Sequence, residues 1–447
     1  MPTTFLMMRW IVAVAGILAV VGPGAVYSFS LLGGPLAAAF GWLPSEVTWA
    51  FAIANFSLAV GGLLGGLLSD RKGPRLPGVI GVALWAGGNA LCALLAGTHS
   101  IVLLYLCYGV VGGFGCGMVY MAVLNSVIRW FPQARGFGGG LVIMGFGLGS
   151  FVYSAVVKSW APFASISAGT QAYTSALASA VAAHTPFAAS QYLLSGDDTA
   201  RLMGLFLWSG VAFAVLGGAA IMLLEHPPVS DPKYAAQYEG RQFTLPEMVG
   251  DARFYILWAM LFVNVFGGVA IISNAVPLMR ELTGMPAADA AGLYAMLAIC
   301  NGLGRLFWGT LSDRLGRRLT FAILFGAQTL AFVALDSSGK DITLVAASMA
   351  LLLLCYGGGF GVMPAFNVDF FGVKNFGGNY GMQISAWGMA AVVGTAFIST
   401  LKDATGSFAG MMQPIAVVVL VAMFLPLILG ETHKDGEASQ RALSLKA

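Results

Sequence analysis

Gly61-Gly62-Leu63-Leu64-Gly65-Gly66-Leu67-Leu68-Ser69-Asp70-Arg71 comes back 243 residues later as Gly304-Arg305-Leu306-Phe307-Trp308-Gly309-Thr310-Leu311-Ser312-Asp313-Arg314. Each copy closes an apolar stretch with glycines, a serine and an Asp-Arg pair. A second echo, Phe137-Gly138-Gly139-Gly140 against Phe376-Gly377-Gly378-Asn379, recurs at a spacing of 239. Two echoes at nearly one spacing make the chain two copies of a single unit. Internal repeats of this kind build membrane transporters whose substrate binds near the midplane, between the repeats.

Composition agrees with a bilayer setting. Of 447 residues, 58% are hydrophobic and only 9% charged, against about 25% charge in a soluble domain. Apolar stretches of about 20 residues, enough to cross a hydrocarbon core of about 30 Å, recur from Ile11 to Leu429. They predict an all-α integral membrane protein with twelve spans: 10–34, 46–69, 76–97, 101–125, 136–157, 202–224, 254–279, 287–311, 319–335, 342–366, 377–400 and 409–429. The first apolar run is long enough to span and lacks a cleavage pattern.

The repeat and the polar breaks divide the chain into an N-terminal six-helix bundle (1–224), a linker (225–253), a C-terminal six-helix bundle (254–431) and a tail (432–447). The linker contains Glu225-His226-Pro227-Pro228-Val229-Ser230-Asp231-Pro232, whose prolines and charges mark a solvated segment. An Ala/Ser/Thr-rich insertion, 158–200, separates spans five and six on the outer side and has room for short surface helices. With the N-terminus inside, 16 of the 22 Lys and Arg residues fall on the inner side, which predicts cytoplasmic termini and a cell-membrane location.

Several chemistries are excluded at this point. No basic cluster interleaved with aromatics suggests nucleic acid. The five cysteines all lie in apolar segments without metal-ligand or disulfide spacing, so they read as packing residues. The runs Gly113-Phe114-Gly115-Cys116-Gly117 and Gly145-Phe146-Gly147-Leu148-Gly149 follow no strand, which a phosphate loop requires. Gly61/Gly65 and Gly145/Gly149 instead have the spacing of closely packed membrane helices. An enzyme would need a nucleophile with a base, or metal ligands, at membrane depth, and a channel filter needs a ring of ligands. The sequence offers neither, and no cofactor or metal is expected.

Arg305 is the charge that stands out. It lies eight residues before Asp313, about 12 Å up the helix from the turn, where an arginine costs about 2.5–3.5 kcal/mol on insertion scales. No Asp or Glu within a span lies at comparable depth, and the repeat places Gly62 opposite it, so architecture alone does not demand a cation. A structural arginine bonded to carbonyls, or one snorkelling to the interface, is the competing reading. The functional reading is a fork of donors for a carboxylate. Asn301, at i−4, shares its helix face and is placed to orient the guanidinium or bond the substrate. Tyr120, Tyr356, Phe360 and Trp387 lie at similar depth on spans four, ten and eleven, with Tyr27 and Phe29 on span one as weaker candidates.

Ser69-Asp70-Arg71-Lys72-Gly73-Pro74-Arg75 and Ser312-Asp313-Arg314-Leu315-Gly316-Arg317-Arg318 resemble the loop signature of the major facilitator superfamily, once per half. Within it, Arg129-Trp130-Phe131-Pro132 through Gly149, Asn301 through Arg318, and Phe371-Gly372-Val373-Lys374-Asn375 through Gly388 are similar to the oxalate:formate antiporter and monocarboxylate transporter branch.

The resemblance implies two pseudo-symmetric bundles working by alternating access on small organic anions. It implies a substrate-binding arginine at Arg305, a substrate-contacting tyrosine at Tyr120, and a latch of Asp70, Arg71, Arg75, Asp313, Arg314 and Arg317. In animal members the position of Asn301 is an aspartate tied to proton movement; here it is neutral. The family's oxalate carriers hold a lysine in this part of span eleven, where this chain presents Trp387. One cation suits one carboxylate. The expectation is therefore a monomeric secondary transporter of a monocarboxylate such as lactate, pyruvate or formate, coupled to protons. An oxalate:formate-type exchanger is the runner-up.

Overall fold

Glycine faces set the spacing of the helices. In the computed structural model, which describes residues 2–405 and 409–430, the carbonyl of Arg305 lies where Gly140 and Gly361 have no side chain, and those of Leu354 and Asn301 lie against Gly304 and Gly357. Span eight is thereby sandwiched between spans five and ten at backbone contact. Span two meets span four in the same way, with Gly61 on the Phe114 carbonyl and Gly117 on that of Leu58. In lipid, where apolar side chains gain nothing by leaving one solvent for another, such close approach holds helices together.

The architecture is two bundles of six helices. Among the described residues ten helices are long and apolar enough to cross a membrane: Met7–Phe40, Pro44–Lys72, Arg75–Thr98, Ile101–Trp130, Arg135–Ser159, Gly196–Ile221, Ala252–Val269 (within a longer helix), Asp289–Leu315, Arg317–Asp336 and Ile342–Phe371. The paired helices Phe376–Gln383 and Ser385–Thr405 follow, then the shorter apolar Met412–Ile428. Each of the twelve expected spans thus falls on helix; the tail 432–447 lies outside the described residues. Trp208, Leu216 and Leu330 are each more than 60% exposed on the outer faces, as suits side chains whose solvent is lipid.

The two bundles meet most closely at the end where the Lys- and Arg-rich loops collect, called here the basic end. Span two faces span eleven and span five faces span eight. At each seam two glycines oppose one another, Gly66 with Gly377 and Gly136 with Gly309, and a methyl on either member would collide with its partner's carbonyl.

Two segments differ from expectation. The insertion carries one long helix, Phe163–Ala182. Ile166 and Tyr173, seven residues apart on one face, are fully buried, and the Tyr173 hydroxyl donates to the Trp42 carbonyl at 3.0 Å. The Leu194 amide bonds the Ala38 carbonyl at 3.0 Å, so the insertion is fastened to the outer end of span one. The linker is not simply solvated. Tyr234, Phe243 and Met248 are buried, and it touches both bundles: Arg129 donates to the Tyr238 hydroxyl at 3.0 Å, and Asn375 to the Phe243 carbonyl at 2.9 Å. Its aromatics and methionine pack inward while Glu239 and Arg241 stay exposed, which explains why its charge content misleads.

Candidate substrate site and the two clasps

Arg305 is 1% exposed. Its Nη1 donates to the Ile143 carbonyl of span five at 2.8 Å, while Nε and Nη2 are buried and bond nothing. Those two nitrogens form one edge of the planar guanidinium, the edge that takes a carboxylate with two parallel bonds. No Asp or Glu among the described residues pairs with it. Phe146 and Phe360 flank it, with ring centroids 5.8 and 5.4 Å from Cζ. Gly147 makes room, since a Cβ there would stand 3.3 Å from both Cζ and Nε.

Aromatic rings close around this charge. Trp387 lies 4.9 Å from Phe360, 6.1 Å from Tyr120, 6.1 Å from Phe146 and 6.2 Å from Tyr27, ring centre to ring centre. Tyr356 packs edge-on against Phe360 at 5.5 Å. The structure therefore brings Arg305, Tyr120, Tyr356, Phe360 and Trp387 together. Tyr27 joins them and Phe29 does not: Phe29 packs on Tyr108 and Phe51. The hydroxyls of Tyr27, Tyr120 and Tyr380 are buried with no well-formed hydrogen bond: Tyr27 lies loosely against Tyr356 and Arg305, and Tyr120 against Tyr380. Under-satisfied buried groups cost about 1–3 kcal/mol each, so this half-used guanidinium sits among donors that a polar ligand would satisfy.

Asn301 does not orient the guanidinium. The helix breaks at Ala298, between Ala287–Leu297 and Ile299–Leu315, and the Asn301 backbone and amide oxygen crowd Gly357 of span ten. Its Oδ1 is buried and unbonded.

At the basic end two carboxylates cross the seams. Asp70 of span two accepts the Gly377 and Gly378 amides of span eleven at 3.0 and 2.8 Å. Asp313 of span eight accepts the Gly136 and Phe137 amides of span five at 3.1 and 2.8 Å. Each occupies the positive N-terminus of a helix in the other bundle.

Their cationic partners differ in part from those expected. Asp70 pairs with Arg129 at 2.9 Å, and Arg71 is exposed. Arg75 holds the Leu224 carbonyl and Glu225 within its own bundle. Asp313 pairs with Arg317 at 2.8 Å, while Arg314 faces outward. Adjacent residues on a helix do not face each other, which excludes Arg71 and Arg314; Arg317 meets Asp313 because the chain turns at Gly316 and Arg317 opens the next helix. Asp369, overlooked in the sequence, continues the chain: it binds Arg317 at 2.9 Å and Arg135 at 3.1 Å. His226, half-buried beside Arg129, has its pKa pushed down to about 3 by desolvation and by that positive charge, so it stays neutral.

The comparisons with known proteins agree with this architecture. The family model described as Major Facilitator Superfamily matches residues 5–335 and 257–446. The oxalate:formate antiporter of Oxalobacter formigenes is 27% identical over 389 residues, covering 86% of this chain and 83% of that protein. Apicoplast pyruvate carrier 1 of Toxoplasma gondii is 25% identical, covering 79% of this chain and 69% of its own. The solved major facilitator transporter FucP, in its outward conformation, superposes with a TM-score of 0.70 at 15% identity, over 96% of this chain and all of its own. With this match, the two six-helix bundles and the paired loop signatures, the chain belongs to the Major Facilitator Superfamily and is a multi-pass membrane transporter.

Proposed function

We propose that the protein moves a small monocarboxylate across the cell membrane by alternating access, with both termini in the cytoplasm and Arg305 as the anion-binding residue. The observation that carries this reading is the free Nε–Nη2 edge of a buried guanidinium walled by aromatic rings. One edge accommodates one carboxylate, and the rings accept a short apolar tail. Tyr120, Tyr356, Phe360 and Trp387 complete the proposed site. The names of the relatives, an oxalate:formate antiporter and a pyruvate carrier, fit the same ligand chemistry.

One observation favours exchange over proton symport. Arg305 has one backbone carbonyl and no carboxylate for company, and His226 at the basic end stays neutral. Moving an uncompensated buried cation through the closed state is costly. A bound carboxylate removes that cost, so the loaded carrier turns over and the empty one does not.

The test uses the purified protein in liposomes with labelled pyruvate, lactate, formate and oxalate. Uptake of a monocarboxylate is expected, and Arg305→Lys, which keeps the charge but loses the fork, weakens it about ten- to a hundredfold, the worth of a charge-assisted pair. Near-normal uptake by that variant would sink the site. Uptake that requires unlabelled acid inside supports exchange; uptake into empty liposomes driven by a pH gradient alone overturns it.

A further inference from the structure

Tyr380 stands apart from the residues legible in the sequence. It lies in the first helix of span eleven, Phe376–Gln383, fully buried, with its ring stacked on Phe376 at 5.4 Å. Its hydroxyl and that of Tyr120 on span four are buried with no well-formed hydrogen bond to any other group. The two phenols pair loosely with each other, within reach of the Arg305 charge. Tyr380 and Trp387 are seven residues apart, two turns along the same span, and Trp387 is the ring that touches Tyr120. A pair of uncharged phenols on opposite bundles, which can satisfy only one of its two O–H donors internally, thus stands beside the anion fork.

We propose that Tyr380, with Tyr120, forms a second and uncharged binding station that reads an oxygen substituent on the tail of the acid. This inference rests on the monocarboxylate reading above. The fork takes the carboxylate, and nothing further is needed to hold charge. The remaining O–H of the pair needs an acceptor instead, which a keto or hydroxyl oxygen supplies and a methylene does not. A site built to bond a substrate oxygen discriminates sharply against the analogue that lacks it, because its own buried groups are then left unpaired. The station is also tied to the conformational cycle. Three residues before Tyr380, the Gly377 amide is held by Asp70, so separation of the bundles at this seam carries Tyr380 away from Tyr120. The station then comes apart as the route to the basic end opens.

The experiment compares pyruvate with propionate, which differ by that oxygen alone, as competitors of labelled pyruvate uptake in liposomes. Wild-type protein is expected to prefer pyruvate. Tyr380→Phe, which keeps the ring and its stack, shrinks that preference about five- to tenfold, the worth of one neutral hydrogen bond, while propionate affinity stays put. Tyr120→Phe reaches the station from the other bundle and gives the same collapse. It also serves as the readout if Tyr380→Phe fails to fold. A drop in uptake of both acids alike, with the preference intact, identifies a merely structural tyrosine and overturns the proposal. If wild-type protein takes up neither acid, the monocarboxylate reading falls and the station with it; uptake with an unchanged preference sinks the station only.

Discussion

The two clasps at the basic end descend from one repeat but are wired differently. Both keep an acid at the end of a helix, Asp70 and Asp313, with two backbone amides from the opposite bundle in its grip. Both keep a glycine one turn before the acid, Gly66 and Gly309, each opposed by a glycine across its seam. What has diverged is the charge supply. The Asp70 clasp uses a single arginine, Arg129, which also bonds Asn125 at 2.9 Å and the linker's Tyr238 at 3.0 Å. The Asp313 clasp is a chain of four charges, Asp313–Arg317–Asp369–Arg135, with Arg317 fully buried at its centre. The backbone part, which needs only an acid and a helix end, survived; the side-chain part changed. One clasp became a junction with the linker, the other a closed network.

That difference predicts unequal damage. Removing one member of a buried pair costs about 3–5 kcal/mol, because the survivor is left uncompensated. Asp369→Asn strips charge from two arginines at once, one of them without any exposure. Asp70→Asn unbalances only Arg129, which retains bonds to Asn125, Tyr238 and the Lys374 carbonyl. In thermal unfolding of the detergent-solubilised protein, Asp369→Asn is expected to lower the midpoint clearly more than Asp70→Asn. Equal shifts, or the reverse order, would mean that the four-charge network does not act as a unit.

The glycine seams test what the clasps share. Gly66→Ala and Gly309→Ala both drive a methyl into a carbonyl of the opposite bundle, and overpacking of this kind costs about 1–3 kcal/mol. Because each collision exists only while the basic end is closed, both variants should populate the open-end state, read as faster labelling of a cysteine placed at the seam. Similar labelling in the two is expected despite their different charge partners. A large disparity would show that the seams are not mechanically equivalent.

How much of this could be read from the chain alone follows the physics of each feature. Arg305 was legible because a charge in an apolar span is expensive wherever it points, and Asp70 and Asp313 because the repeat prints them twice. Of the cations serving those acids, Arg317 stands in the same loop as Asp313, but Arg129 stands outside that of Asp70. The sequence offers Arg71 and Arg314 as neighbours, but one residue along a helix is about a quarter turn away. Arg129 sits at the end of span four, and Asp369, which extends the Asp313 clasp, at the end of span ten. Tyr380 was hidden for a related reason: a tyrosine among apolar residues reads as packing, and only its unbonded hydroxyl facing that of Tyr120 sets it apart. Asn301 misled in the opposite sense. Regular i−4 spacing put it beside Arg305, but its amide oxygen turns to Gly357 of span ten instead.

The smallest expected effect bears on the point where the two clasps differ most. Tyr238→Phe deletes one hydroxyl and with it the bond from the Arg129 guanidinium to the linker, leaving the one that Gln237 makes to the Arg129 carbonyl. The bond joins a charged donor to a neutral acceptor at a half-buried tyrosine, and its loss is worth about 1.5 kcal/mol, the low end for a charged group. Arg129 also binds Asp70, so loosening the linker should weaken the Asp70 clasp and leave the Asp313 clasp alone. The expected result is modestly faster labelling of a cysteine at the span two–span eleven seam, with no change at the span five–span eight seam. If both seams respond equally, the linker restrains the bundles as a whole and the junction at Arg129 has no private role. If neither responds, Tyr238 merely packs against an arginine that its other partners already hold.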